Sequence, residues 1–149
     1  MPMIFDRIAI LGVGLIGASI ARAAREYGAV GAIALYDASP DVRERARALG
    51  LGEVFDDAER AVAQADLVVL AVPVGAMGAA AAACARGLKI GAIVTDVGSV
   101  KQAVVDAVAA ALPTSVYFVP GHPLAGTEHS GPDASFATLF QNRWQILTP

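Results

Sequence analysis

A glycine-rich turn between an apolar run and a helical run constrains the fold of this chain more than any other feature. The turn reads Gly-Val-Gly-Leu-Ile-Gly and follows the apolar run Arg7–Leu11. Its G-x-G-x-x-G spacing provides a tight turn, a close approach for a pyrophosphate and close packing of the next helix on the strand. The helix N-terminus favours an anion at the same point. The residues predicted to bind a dinucleotide here are Gly12, Gly14, Leu15, Ile16 and Gly17.

An acidic residue follows at the distance that a dinucleotide site requires. Asp37 stands directly at the end of the second predicted strand, after Tyr36 and twenty residues after Gly17, and such an acid accepts hydrogen bonds from an adenosine ribose. Because a carboxylate repels a 2′-phosphate, the sequence predicts NAD rather than NADP as the cofactor. Arg43 and Arg45 lie on the next predicted helix and weaken this preference slightly, although we expect them on a face exposed to water.

Short apolar runs alternate with longer alanine-rich runs along the whole chain. Apolar residues follow one another without alternation through most of the runs Arg7–Leu11, Leu67–Val72 and Ala92–Asp96, which is typical of strands covered on both faces. The repeated β-α units predict an α/β fold over residues 1–149, a doubly wound, mostly parallel sheet of the Rossmann dinucleotide-binding type. Further strands are predicted at Ala32–Tyr36, Glu53–Phe55, Val116–Val119 and Trp144–Thr148. Helices are predicted at Gly14–Tyr27, Pro40–Leu49 (capped by Ser39), Asp57–Gln64, Gly75–Arg86 and Val100–Leu112.

The composition excludes several classes of partner. Of the 149 residues, 56% are hydrophobic and 17% are charged, which predicts a globular domain. The net charge of −3 provides no general basic surface, so we expect no nucleic-acid partner. The uncharged run from Leu67 to Ala85 is long enough for a membrane span. Because Pro73, Gly75 and Gly78 interrupt it, we expect no membrane partner.

The N-terminus and the single cysteine predict a cytoplasmic protein. Asp6 and Arg7 interrupt the first apolar residues, so we expect no secretory signal. Cys84 cannot form an internal disulfide, which fits a reducing compartment, and its alanine-rich surroundings predict that it is buried and inert. We expect no metal site.

Three predicted loops converge beyond the carboxyl ends of the strands, where ligands bind in this type of fold. They are Val72–Val74, Asp96–Lys101 and Pro120–Pro132. Ser99-x-x-Gln102 predicts a capping box for the following helix, and a capping serine can still donate its hydroxyl proton to a neighbour. Further cofactor contacts are predicted at Val72, Pro73, Val74 and Asp96.

Both histidines of the chain lie in the loop Pro120–Pro132. Pro123 restricts the backbone of His122 to extended conformations and stiffens the loop. An imidazole at the mouth of a nucleotide-binding sheet is suited to act as a general base, but a turn histidine bonded to backbone fits the same position. We expect His129 to be a solvated loop residue.

The stretches GVGLIGAS, TDVGSVK and GHPLAGTEHSG, in this order, closely resemble those of the prephenate and arogenate dehydrogenases of tyrosine biosynthesis. The resemblance covers essentially the whole chain; its third motif is highly specific, whereas many dehydrogenases share the first. It implies that His122 is the catalytic histidine and Ser99 its hydrogen-bonding serine. It also implies that Thr127 and Glu128 lie beside the substrate. Leu124 stands where many members have Met, a change that conserves volume.

The resemblance implies an NAD-dependent oxidative decarboxylation of a small molecule, prephenate or arogenate. His122 would accept the proton of the substrate hydroxyl while hydride passes to the nicotinamide and the ring carboxylate leaves as CO₂. Family members also carry an all-helical C-terminal domain that dimerises and supplies an arginine for a substrate carboxylate. We expect this chain to be the nucleotide-binding domain alone, poorly active by itself, and the full-length protein to be a homodimer.

Two alternatives remain open at this point. One is a dehydrogenase or reductase of another small metabolite, such as a β-hydroxy acid or an imine, which would share the glycine turn but not GHPLAGTEHSG. The other is a nucleotide-binding regulatory module without catalysis, which would need Asp37 but would have no use for Ser99 and His122 together.

Overall fold

Six parallel strands form the central sheet in the computed structural model, which describes residues 2–126, 129–143 and 145–147. The strands are β1 (Phe5–Leu11), β2 (Val30–Tyr36), β3 (Glu53–Val54), β4 (Leu67–Leu70), β5 (Ile93–Asp96) and β6 (Tyr117–Val119). Their order is β3-β2-β1-β4-β5-β6, with every neighbouring pair parallel. This order reverses between β1 and β4, which confirms the doubly wound fold and opens a crevice at that point.

Helices cover both faces of the sheet. They are α1 (Leu15–Glu26), α2 (Pro40–Leu49), α3 (Ala58–Val62), α4 (Met77–Cys84) and α5 (Lys101–Ala111). The boundaries of α2 follow from its sequence, because the Ser39 hydroxyl accepts a hydrogen bond from the Val42 N–H and Pro40 occupies the first turn. Gly50 ends α2 in the left-handed conformation, with φ of 64°.

The residues of β1 contribute alternately to two cores. Ile8 and Ile10 pack with Ala18 of α1 on one side of the sheet. Ala9 and Leu11 pack with Met77 of α4 on the other side. A strand buried on both faces needs apolar residues at every position, which explains the continuous apolar runs in the sequence.

The last strand of the chain does not join the six-stranded sheet but belongs to a second, smaller sheet. β7 (Gly121–Pro123) and β8 (Gln145–Leu147) pair antiparallel as a separate two-stranded sheet. The segment Pro120–Pro132, predicted as a loop, therefore begins with a short strand that carries His122. Trp144 and Thr148, the ends of the predicted last strand, lie outside the described residues.

The uncharged run Leu67–Ala85 forms β4 and α4, and α4 ends at Cys84. Cys84 is fully buried, and burial raises the pKa of its thiol to about 11, so the thiol is protonated and inert at neutral pH. In the part of the chain that the structure describes, no helix has the length and hydropathy needed to cross a bilayer.

Candidate functional site

Each of the three glycines in the turn after β1 has a different structural role. Gly12 has φ of 98°, and a Cβ there would lie 2.6 Å from the Ala71 carbonyl oxygen. A Cβ on Gly17 would lie 1.9 Å from the carbonyl oxygen of Gly12, so only glycine lets α1 start this close to the turn. A Cβ on Gly14 would meet nothing within 4 Å. Gly14 therefore borders open space, where a ligand can approach the backbone.

The carboxylate of Asp37 joins the glycine turn to the start of α2. One oxygen accepts from the Val13 N–H at 2.9 Å, and the other accepts from the Ser39 N–H at 2.9 Å. A carboxylate oxygen accepts more than one hydrogen bond, so both oxygens can still accept from a ligand hydroxyl. The backbone contacts fix the direction in which the carboxylate points.

A cavity of about 240 Å³ lies beside Asp37. Its other walls are apolar and small, with several alanines contributed by α4, and it fits a flat apolar ring next to a hydrogen-bond acceptor. The lining residues include Gly12, Tyr36, Asp37, Val72, Ala76 and Ala80.

The structure corrects the prediction for Arg43. Its side chain is only 15% exposed, and its Nε donates to an Asp56 carboxylate oxygen at 3.1 Å. The same guanidinium donates to the Asp37 carbonyl oxygen at 2.8 Å and lies over the Tyr36 ring. These contacts hold the Arg43 side chain beside the cavity, so it does not face water as expected. Arg45 is half exposed and pairs with Asp133.

A larger cavity of about 510 Å³ brings the other predicted residues together. The glycine turn, the loop after β4, the loop after β5 and β7 each form one wall, at the crevice where the strand order reverses. Its predicted members are Gly14, Leu15, Ile16, Val72, Pro73, Val74, Ser99 and His122. Ala125, Ser130 and Gly131 also line it, and nothing in their residue types distinguished them beforehand.

A family model of the prephenate dehydrogenase nucleotide-binding domain matches residues 20–149 of the chain. The chain belongs to the prephenate dehydrogenase family. The matched residues include Asp37, Ser99 and His122, and they begin just after the glycine turn. The family resemblance seen in the sequence is therefore confirmed.

Relatives in the prephenate dehydrogenase family match almost the whole chain. The cyclohexadienyl dehydrogenase of Zymomonas mobilis is 54% identical over 147 residues, which are 98% of this chain and 50% of that protein. The crystal structure of the A. aeolicus prephenate dehydrogenase in complex with hydroxyphenyl propionate and NAD⁺ is 35% identical, with a TM-score of 0.86 over all of this chain and 51% of that one. The Synechocystis arogenate dehydrogenase is 32% identical, with a TM-score of 0.83 over 96% of this chain and 50% of that one. The chain thus spans about half the length of these relatives.

Ser99 does not cap α5, so the predicted capping box is wrong. The helix starts two residues later, at Lys101, with Val100 as a cap residue that has no side-chain acceptor. Gln102, the expected partner, donates instead to Asp106. Ser99 is exposed to the cavity and within the described residues makes no hydrogen bond with His122. Its hydroxyl remains available, and catalytic hydrogen bonds often tighten only when the substrate is bound.

Asp96, predicted as a cofactor contact, is fully buried. One of its carboxylate oxygens accepts from the Gly98 N–H at 2.8 Å, and the other accepts from the Gly121 N–H at 3.1 Å. Lys101 forms an ion pair with it at 2.5 Å. Because both oxygens are engaged inside the protein, the side chain of Asp96 holds the loops that line the larger cavity.

The remaining predicted residues of the third motif have separate outcomes. Thr127 and Glu128, predicted beside the substrate, lie outside the described residues. His129 is exposed, as expected. Leu124 is 42% exposed.

Among the described residues, no group of three or more His, Cys, Asp or Glu side chains is placed to hold a metal ion.

Proposed function

We propose that this chain is the NAD-binding half of an enzyme that oxidatively decarboxylates prephenate or arogenate in tyrosine biosynthesis. The main support is the cavity in which Ser99 and His122 face the glycine turn, in a chain of the prephenate dehydrogenase family. The sequence likeness extends to relatives named for cyclohexadienyl, prephenate and arogenate substrates. Kinetics on both substrates distinguish prephenate from arogenate.

The residues around both cavities fit a dinucleotide. Gly14 leaves room for a pyrophosphate at the N-terminus of α1, and Asp37 offers acceptors to a ribose beside an apolar slot. A bound NAD would supply the hydride acceptor for the reaction. Val72 lines both cavities, whereas Pro73 and Val74 line the larger one.

The protein has to orient the substrate and handle one proton. The neutral imidazole of His122 accepts the proton of the 4-hydroxyl as the hydride leaves C4. The bond from the ring to its carboxylate then breaks, its electron pair enters the ring, and CO₂ departs. The proton returns to the phenol oxygen, so the step consumes no further reactant. When the substrate is bound, the free hydroxyl of Ser99 would orient the imidazole by a hydrogen bond, and the arginine implied for the helical half would bind a substrate carboxylate.

We expect residues 1–149 produced by themselves to bind NAD but to turn over poorly, because the arginine that the resemblance assigns to a helical domain would not be supplied. The comparison is a chimera in which this chain replaces the matching half of the Zymomonas mobilis relative. NADH formation by the chain should be below roughly 1% of that by the chimera at equal concentration, the loss expected when substrate is not positioned. Equal rates would contradict the division of roles between the two halves.

Asp37 should make the chain prefer NAD to NADP. Replacing Asp37 with Asn keeps one acceptor oxygen and removes the charge, so the NAD-to-NADP affinity ratio should fall by about tenfold, or ~1.4 kcal/mol. Isothermal titration calorimetry with both nucleotides measures the ratio. Asp41→Asn, at an exposed acid in the first turn of α2, is the matched control and should leave the ratio unchanged. Tighter binding of NADP than NAD by the unaltered chain would contradict the prediction.

A further inference from the structure

Lys101 joins two segments that carry proposed active-site residues. It is the first residue of α5, and its side chain is 20% exposed. Its ammonium donates to an Asp96 carboxylate oxygen at 2.5 Å and to the Gly121 carbonyl oxygen at 2.5 Å. Two of its three donor positions are therefore used inside the protein. Lys101 is absent from the lining of the larger cavity, so its contacts are to the protein instead of to the ligand space.

Asp96 and Lys101 together hold the residues that immediately precede Ser99 and His122. Asp96 accepts from the N–H groups of Gly98 and Gly121 through its two carboxylate oxygens. The Lys101 ammonium donates to the carbonyl oxygen of Gly121, so both the N–H and the C=O of that glycine are held by hydrogen bonds. The carbonyl of Gly121 belongs to the same peptide plane as the N–H of His122, and fixing it fixes the direction in which His122 leaves the backbone.

Close packing around Gly121 restricts this arrangement further. A Cβ at Gly121 would lie 2.5 Å from the Gln145 side-chain nitrogen and 3.2 Å from the Asp96 carbonyl oxygen. β7 is also paired with β8, with His122 opposite Ile146. The backbone at Gly121 is thus held by β8 on one side and by the Asp96–Lys101 pair on the other.

We propose that Lys101, acting through Asp96 and Gly121, is a positioning residue that sets the placement of His122 relative to Ser99. This inference rests on the proposed function, since it assigns the catalytic proton transfer to His122. The buried charge of Asp96 requires a partner, and Lys101 supplies it while anchoring the strand that carries the base. No contact between Lys101 and the substrate is involved.

The test compares Lys101→Met, Lys101→Arg and the control Lys89→Met in the chimera. Lys89 pairs with Asp66, which immediately precedes β4 at the amino ends of the strands. Its loss therefore removes a Lys–Asp pair without touching the site at the carboxyl ends. We expect Lys101→Met to lower kcat by about tenfold or more while the KM for NAD stays within about twofold, as for a displaced catalytic group. Lys101→Arg should recover part of the lost kcat because it keeps the charge and several donors. Lys89→Met should keep the original kcat.

A second measurement uses the 149-residue chain without substrate. Amide hydrogen exchange should become at least about tenfold faster at Gly98 and Gly121 in Lys101→Met, and should be unchanged there in Lys89→Met. If Lys101→Met fails to fold, Asp96→Asn/Lys101→Met removes the unpaired buried charge, and that double variant should fold with the same low kcat.

Three results would overturn the inference. The first is a kcat equal to that of the unaltered chimera in Lys101→Met or in the double variant. The second is a raised KM for the substrate in Lys101→Met with kcat preserved. The third is unchanged amide exchange at Gly98 and Gly121 in Lys101→Met. The substrate-independent exchange data separate this inference from the proposed function. A chimera inactive on both substrates would refute the function, while faster exchange in Lys101→Met would still support the role of Lys101 in holding the loops.

Discussion

Replacement of His122 by Asn in the chimera should lower kcat by roughly 10²- to 10⁴-fold, the range for loss of a positioned general base. Asparagine is polar and of similar size but cannot accept the hydroxyl proton at neutral pH. The backbone pairing of His122 with Ile146 is unaffected by the side chain, so β7 should stay in place. The dissociation constant for NAD should remain within about twofold, because the loss falls on the transition state and not on cofactor binding.

The matched control for this variant is His129→Asn. His129 is exposed and does not line the larger cavity, although it stands in the same sequence motif. Its replacement should leave kcat near that of the unaltered chimera. Steady-state kinetics measure kcat for both variants, and calorimetric titration measures their dissociation constants for NAD. An unchanged kcat in His122→Asn, or an equal loss in both variants, would refute the role assigned to His122.

Replacement of Gly17 by Ala should destabilise the 149-residue chain by about 3 kcal/mol, the upper part of the range for overpacking. The added Cβ would lie 1.9 Å from the carbonyl oxygen of Gly12, and backbone on both sides would have to move. The better helix propensity of alanine, about 1 kcal/mol, offsets only part of this cost. Urea denaturation of the chain measures the change in the free energy of unfolding.

Gly14→Ala separates packing from ligand binding in the same turn. Gly14 has φ of −85°, outside the left-handed region, and a Cβ there meets nothing within 4 Å. We expect the stability of this variant to stay within about 1 kcal/mol of the original. Its affinity for NAD should fall about tenfold or more, because the methyl group would occupy the space beside the backbone N–H groups that face a pyrophosphate. Equal stability of Gly17→Ala and Gly14→Ala would contradict the roles given to the two glycines.

Much of the fold follows from local sequence signals. Ser39, Pro40 and Gly50 bound α2 through their own side chains and backbone preferences, so the sequence was sufficient to predict both ends. The continuous apolar part of β1, Ile8–Leu11, predicts a strand buried on both faces, and its residues do pack into two cores. The glycine turn combines a strand, a turn and a helix within a few residues, so its context could be checked in the sequence itself.

The site was less predictable because its contacts join distant segments. Ser99 and Gln102 have the residue types of a capping box, but α5 starts at Lys101. Lys101 is instead drawn toward Asp96 and the Gly121 carbonyl, a contact spanning twenty residues that no local pattern encodes. The pairing of β7 with β8 likewise depends on tertiary contacts. An acid at the end of β5 and a lysine five residues later were the only signal that could have suggested the Asp96–Lys101 pair.

Steady-state kinetics of the chimera on prephenate and arogenate, with a β-hydroxy acid as comparison, test the proposed function most directly. NADH and CO₂ should be measured together. We predict turnover of at least one cyclohexadienyl substrate with one CO₂ released per NADH formed, and no turnover of the β-hydroxy acid. NADH formation from the β-hydroxy acid, or NAD binding with no turnover of prephenate and arogenate, would contradict the proposed function.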